Sequence, residues 1–455
     1  MSLSIKRTLS IIGIISGCIV IALVFTMINT AVPVIQKSLG LSMSTMQWMM
    51  TVFGVINCAT LVSCGRLADI YGRKKIFVIG LLCSFIAMLF GGFCTGGIGL
   101  IVCMSFAGLG NAILLPVSQA MLVSEFPEDQ KSRAIGLWAA SIATAMSLGP
   151  VLGGLIAGAF GWEWVFWVNV PVILASIYFV LRFSKESKNG EDLPLVDYKG
   201  MFYLAMTISS FVLLMTEFRS LPQFVSGFLL LVTIAGSSLL WKHERFFPSP
   251  LLLKELISNR IFISASLASA CLIFYVWSYF FLLPQYLQNI RGLSSVMSGV
   301  FMLGITLPMA VISPLIGKYY RSHTAWGYIL AGFLLLIAST SLQMLFNENS
   351  SFSLIILSTV LFGIGNSLIS APTVTAALST VSFEKAGVAS GSFVTIQEIG
   401  GTFGLAIIVS YVRYFPDLLS GFQQGMQALL CVGVIGCLCV IPLMRSAPTF
   451  RDRRV

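Results

Sequence analysis

Charge is scarce in this 455-residue chain: 10% of residues are Asp, Glu, Lys or Arg, while 57% are hydrophobic. A soluble domain carries about 25% charged residues. No water-facing surface of ordinary size can be built from this composition, so the surface must face lipid. No polar stretch is longer than the segment 183–199, so the polar linkers that divide soluble chains of this length are missing. Histidine is nearly absent, with His243 and His323 alone, and there is no Cys-x-x-Cys pair. These gaps argue against a metal centre and a disulfide framework, and no cofactor is expected. The ten cysteines lie almost entirely in apolar segments and read as small buried apolar side chains. A phosphate loop of the GxxxxGK[ST] type is also missing, which disfavours ATP-driven transport. The apolar run from Ile11 follows Lys6 and Arg7 without a small-residue cleavage site, so it reads as a retained first span.

What the chain has in abundance is long apolar runs. A helix needs about 20 apolar residues to cross the hydrocarbon core. The sequence predicts spans near 10–31, 46–65, 76–95, 97–122, 134–159, 164–182, 200–218, 224–241, 261–287, 296–317, 326–346, 351–372, 387–411 and 424–445. With the N-terminus inside, 23 of the 27 Lys and Arg residues fall on inner segments, and only Lys37, Arg219, Arg291 and Arg413 fall outside. Removing one middle span would scramble this asymmetry, so fourteen spans with both termini cytoplasmic is the expectation. Both histidines then fall in cytoplasmic loops. The formal charge of +10 follows from topology and anionic lipid, and no nucleic-acid partner is needed.

The two ends of the chain echo each other. Residues 107–116 read AGLGNAILLP and residues 362–372 read FGIGNSLISAP. Gly108, Gly110 and Asn111 thus answer Gly363, Gly365 and Asn366. Downstream, Gly136 and Gly149 answer Gly391 and Gly404. The expectation is an all-α polytopic membrane protein of two six-helix bundles plus two inserted helices. The bundles are residues 1–182 and 256–455, the latter with a short basic tail. Residues 183–255 form a cytoplasmic linker and the inserted pair. Parallel repeats of this kind are a transporter architecture with the substrate near the midplane.

Between spans two and three, residues 65–75 read GRLADIYGRKK. Gly65 allows close helix approach, Asp69 can cap the next helix or pair with a neighbouring Arg, and Gly72 permits a tight turn. This segment closely resembles the cytoplasmic-loop signature of the major facilitator superfamily. The resemblance implies a latch between the bundles on the inner side, with its Asp and Arg at Asp69 and Arg73. Span five carries Gly149, Pro150, Gly153 and Gly154, a kink with glycines for helix packing. That motif resembles the signature of the antiporter branch. The stretch WEWVFWVNVP at 162–171 resembles one found in fourteen-helix drug exporters, with Glu163 where an Arg is usual. The whole chain is therefore similar to the fourteen-helix drug:proton antiporter branch, which implies a bacterial inner membrane and a monomer. Two charged landmarks of that branch are missing: its first-span Asp falls on Val24 and its fourth-span Arg on Met104, with Ala107 at the usual Gln. Its proton-coupling mechanism does not carry over.

Of seventeen acidic residues, Glu398 alone sits deep in a span, in VTIQEIGGTFG. A charge at the bilayer centre costs about 2.5–3.5 kcal/mol on insertion scales. Glu398 is thus the candidate for carrying a coupling proton or attracting a cationic substrate. The alternative is a neutral acid bonded between helices, near Gln397 or Thr395. Glu217 reads as an interfacial partner of Arg219. In the resembled fold, spans one, four, nine and twelve line the cavity, which implies Asn29, Asn111, Tyr275, Tyr279 and Asn366 as substrate-cavity candidates. Each of these also suits packing or interhelical bonding. Three readings stand: a proton-coupled exporter of small amphipathic molecules, a narrow-substrate exporter (siderophore or metabolite) or ion-independent facilitator, and a scaffold that has lost transport.

Overall fold

In lipid each backbone N–H and C=O must be satisfied within its own segment, so apolar runs of this length fold as helices. The computed structural model describes residues 3–127, 131–186, 197–217, 221–247, 256, 258–319, 325–381 and 386–446. Arg219, His323, most of the expected 183–199 linker and the basic tail lie outside them. The first half comprises α1 (Leu3–Leu39), α2 (Met43–Tyr71), α3 (Arg73–Gly91), α4 (Gly97–Ser124), α5 (Lys131–Ala159), the short α6 (Glu163–Trp167) and α7 (Asn169–Phe183). Two helices follow, α8 (Tyr198–Glu217) and α9 (Gln223–Phe246). The second half comprises α10 (Arg260–Gln285), closed by a π-turn over Tyr286–Ile290, then α11 (Ser295–Tyr319), α12 (Ala325–Gln343), α13 (Phe352–Leu378), α14 (Ala386–Val412), α15 (Leu418–Cys439) and α16 (Ile441–Ser446).

Among the described residues, thirteen helices are long and apolar enough to cross a membrane, and α2, bent by 50° between Leu61 and Ser63, makes a fourteenth when taken as one span. The count agrees with the sequence, while several helices overrun their expected limits. The first runs from Leu3 to Leu39 with Pro33 inside it. Hydropathy marks only the hydrocarbon core, whereas a helix continues until a cap stops it. Such caps are found at Ser42, whose hydroxyl accepts from the Thr45 N–H, and at Ser351 and Asp417, which accept from Leu354 and Ser420.

The chain forms two compact units, Met1–Ser209 with Leu231–Ser249, and Ser210–Leu230 with Pro250–Val455, so α8 and α9 are each divided between them. In the first, α4 packs on α2 and α3, and α1 packs on α5 and α7. In the second, α13 packs on α11 and α12, and α10 packs on α14. Helix association in lipid relies on close backbone approach, and the same approach is made twice. A Cβ on Gly108 would lie 2.5 Å from the Phe53 carbonyl, and one on Gly363 would collide with that of Ile305. Gly110 faces the Gly80 carbonyl, and Gly365 faces that of Gly332. Asn111 donates to Asn57 at 2.9 Å, and Asn366 donates to the Met309 sulfur at 3.6 Å. One separation along the chain relates Phe53 to Ile305, Asn57 to Met309 and Gly80 to Gly332. The internal repeat is therefore a repeat of contacts as well as of letters.

Candidate functional site

Glu398 sits at the middle of α14, half-buried. Its helix is held against α10 by glycines: a Cβ on Gly404 would lie 2.6 Å from the Phe274 carbonyl, and Gly400 meets that of Ala270. Thr395 and Thr402 flank Glu398 at one-turn spacing and are both buried. Their hydroxyls bond the helix itself, Thr395 to the Gly391 carbonyl and Thr402 to the Glu398 carbonyl. The acid thus lies on a polar stripe of a helix whose neighbouring face is clamped to α10.

The first unit holds a small cavity lined by Val20, Val24, Phe53, Ser84, Met88, Ala107 and Asn111, with room for about one water molecule. Asn111 gives its amide N–H to Asn57, while its carbonyl oxygen is buried without a protein partner. Val24 and Ala107, two of the positions where the resembled branch is polar or charged, line this cavity, and Met104 is fully buried. None of the lining residues titrates. Asn29 on α1 is also buried, donating to the Phe25 carbonyl at 2.8 Å.

In the second unit, Tyr275 and Tyr279 of α10 are fully buried. Tyr279 stacks on Phe362 at 4.4 Å and accepts from Gln343 at 2.9 Å. The Tyr275 hydroxyl lies against Gly433. Asn366 lies one turn beyond Phe362 on α13. The structure therefore gathers Tyr275 and Tyr279 around Phe362, inside this unit's helix packing. Gln343, which completes the Tyr279 contact, carries no signal in the sequence beyond being polar.

The loop at 65–75 folds as the end of α2, a sharp turn and the start of α3. Gly72 turns at φ 108°, a backbone state that side chains disfavour. Asp69, on α2, pairs with Arg73, the first residue of α3, at 2.9 Å across this turn. Capping of α3 comes from elsewhere: Glu186, beyond the end of α7, accepts from the Lys74 N–H at 2.9 Å. The Lys74 ammonium donates to the Leu181 and Ser184 carbonyls. Gly65 departs from the expected close approach, since a Cβ there would meet Pro116 only at 3.7 Å, an ordinary contact. Span five behaves as expected at two of its glycines: Gly149 lies against the Thr26 hydroxyl, and a Cβ on Gly153 would lie 2.5 Å from the Met27 carbonyl. Pro150 is inside α5, as is Gly154.

One expected placement changes. His243 belongs to the last turn of α9 rather than to a loop, and its Nε2 lies 2.6 Å from Asp197 Oδ1. Asp197 is 1% exposed and also accepts from the Gly200 N–H at the start of α8. Glu217 lies 3.9 Å from Arg413, and Arg413 also donates to the Thr216 carbonyl. The expected partner, Arg219, lies outside the described residues.

Comparison with known proteins accords with this architecture. The family model described as "Major Facilitator Superfamily" matches residues 14–405. The multidrug resistance protein Stp of Mycobacterium tuberculosis is 30% identical over 401 residues, covering 87% of this chain and 74% of that protein. The riboflavin transporter RibZ of Clostridioides difficile is 26% identical over 386 residues, covering 85% and 84%. The crystal structure of the human organic anion transporter MFSD10 shares the fold with a TM-score of 0.66 at 14% identity, over 95% of this chain and 99% of that one. A match that takes in both contact repeats and the turn at Gly72 makes the assignment: the chain belongs to the major facilitator superfamily and is a multi-pass membrane transporter of small molecules, not an enzyme.

Proposed function

We propose that this transporter exports small amphipathic, drug-like molecules across the bacterial inner membrane by alternating access, driven by the proton gradient. The observation that carries the export reading is the likeness to a multidrug resistance protein over 87% of the chain. Residues 1–182 and 256–455 are the two bundles, with 183–255 as linker and inserted pair, and the chain works as a monomer. Both termini are cytoplasmic, as the lopsided distribution of Lys and Arg supports. The turn at Gly65, Asp69, Gly72 and Arg73 is the inner latch, and Gly149, Pro150, Gly153 and Gly154 are the moving contact of the antiporter motif.

Glu398 is the proton carrier in this reading. An ionised carboxylate in the membrane is unfavourable unless it faces a polar path or a partner, and burial disfavours the charged form. A group that is neutral when shielded and charged when wetted can exchange a proton for a cationic substrate. Asn29, Asn111, Tyr275, Tyr279 and Asn366 are the proposed substrate contacts, and no metal or cofactor takes part. The likeness to a riboflavin transporter supports a second reading, a narrow-substrate carrier with the same fold.

The test uses inverted membrane vesicles with an acid interior and a fluorescent lipophilic cation. Gradient-driven uptake by wild type, lost in Glu398→Gln, supports the proposal. Uptake retained in Glu398→Gln removes Glu398 from coupling. A folded wild type without uptake, but with saturable binding of one compound from a ligand panel, favours the narrow-substrate carrier.

A further inference from the structure

We propose that Cys94 and Cys103 form a disulfide site that staples the α3–α4 hairpin on the outer side of the membrane. The two thiols lie 3.8 Å apart, nine residues apart in sequence. Cys94 is half-buried in the segment joining α3 to α4, and Cys103 is buried on α4. The Cys94 side chain lies across the first turn of α4, where a Cβ on Gly99 would be 3.0 Å from its sulfur. Glycine at 99 leaves the sulfur a path along the helix to Cys103, one turn further on. Both residues are thiols in the structure, and their separation is within reach of small side-chain adjustments.

Compartment decides what such a pair does. Disulfides persist in extracytoplasmic environments and are rare in the cytosol. The α3–α4 connection lies outside in the proposed orientation, and the inference rests on that reading. The contrast is Cys271 and Cys439, which also hydrogen-bond each other. Cys439 ends α15 at the opposite, cytoplasmic end in that orientation, so this pair stays reduced.

Oxidation needs an acceptor of two electrons, and a disulfide-bearing thiol oxidase of the outer compartment supplies it. The Cys94 thiolate attacks the oxidase disulfide, forming a mixed disulfide and releasing one oxidase thiolate. Cys103 loses its proton, attacks the Cys94 sulfur and expels the second. The oxidase disulfide becomes a dithiol, taking up the two electrons and two protons given by the transporter. Burial pushes the Cys94 thiol above its ordinary value, so uncatalysed exchange is slow at neutral pH and quickens as pH rises.

Both cysteines belong to one hairpin of one unit. The bond restrains that hairpin, whose Gly92 and Phe93 pack against Trp167, and places no tie on the other unit. Transport is therefore expected to survive its loss.

The experiment counts thiols in the full-length protein, blocked in the membrane, denatured, and labelled with a mass-tagged maleimide before or after reduction. In parallel, Cys94 of Cys103→Ser is probed in intact cells with an impermeant maleimide. Two of the ten thiols protected in wild type until reduction, with neither Cys94→Ser nor Cys103→Ser showing protection, establishes the bond. Ten thiols free in wild type, with Cys94 labelled from outside, overturns the disulfide while the orientation stands. Cys94 labelled only in inverted vesicles overturns the orientation and the proposal with it.

Discussion

A single methyl group separates the glycines that the fold requires from those it merely tolerates. Gly363 faces the Ile305 carbonyl so closely that a Cβ has no room, and backbone cannot rotate away as a side chain can. Gly363→Ala is expected to destabilise the protein by about 1–3 kcal/mol, the range for overpacking. Gly65→Ala, facing Pro116 at 3.7 Å, is expected to stay within about 0.5 kcal/mol of wild type. Thermal unfolding of the two variants in the same detergent checks the contrast, and equal losses would refute it. The contrast also marks a limit of sequence: Gly65 and Gly363 are the same letter in equally suggestive motifs, and only the partner helix distinguishes them. At the α15 N-terminus, backbone and side-chain hydrogen bonds from Ser420 hold the Asp417 carboxyl below its ordinary value. A depressed folded-state value means that its stabilisation is present above the usual carboxylate range and is lost as pH falls through the folded one. The gap in melting temperature between wild type and Asp417→Ala should therefore be open at pH 6 and narrow toward pH 3. A gap independent of pH would show that the cap works without its charge.

Elements meet through partners that adjacency along the chain does not reveal. The α3 N-terminus offers free N–H groups, and Asp69, on the preceding helix, looks like the natural cap. Asp69 pairs instead with Arg73 at 2.9 Å across the turn at Gly72, where both are partly exposed, and exposed pairs contribute about 0.2–1 kcal/mol. Glu186 does the capping, from more than a hundred residues away, and loss of a side-chain cap costs about 0.5–2 kcal/mol. Glu186→Ala is therefore expected to lower stability more than Asp69→Asn. If the latch proposal holds, the order reverses for transport, and Asp69→Asn suffers the larger loss. Parallel melting and uptake assays check both orders. If one variant is worse in both assays, Asp69 has no role beyond structure. Span number was legible because hydropathy and positive-inside placement act locally on each segment. The pairs Glu217–Arg413 and His243–Asp197 were not, because each joins the ends of different helices.

At the scale of the whole molecule, the repeat was readable because the Gly-x-Gly-Asn letters encode the same helix contact in each half, down to Gly80 and Gly332 as carbonyl partners. The proposed coupling group breaks that symmetry. In the first unit, the cavity beside Val24 and Ala107 is lined by residues that cannot titrate. In the second, Glu398 stands half-buried at mid-helix. If Glu398 carries the proton as proposed, the second unit holds it, and that has a measurable consequence. When proton and cation compete for one carboxylate, the apparent Kd for the cation equals its high-pH value multiplied by one plus the ratio of proton concentration to the acid constant. Affinity is then flat above the carboxyl pKa and weakens about tenfold per pH unit below it. Equilibrium binding of a lipophilic cation to purified wild type, from pH 9 to pH 5, should show this bend with limiting slope one. Glu398→Gln should be flat across the range, because an amide neither holds the proton nor the charge. A bend that persists in Glu398→Gln moves the proton to another group. A wild type that binds equally at every pH has no proton linkage to this binding, and the cation's direction of transport is then set by its own electrochemical gradient, concentration and membrane potential together.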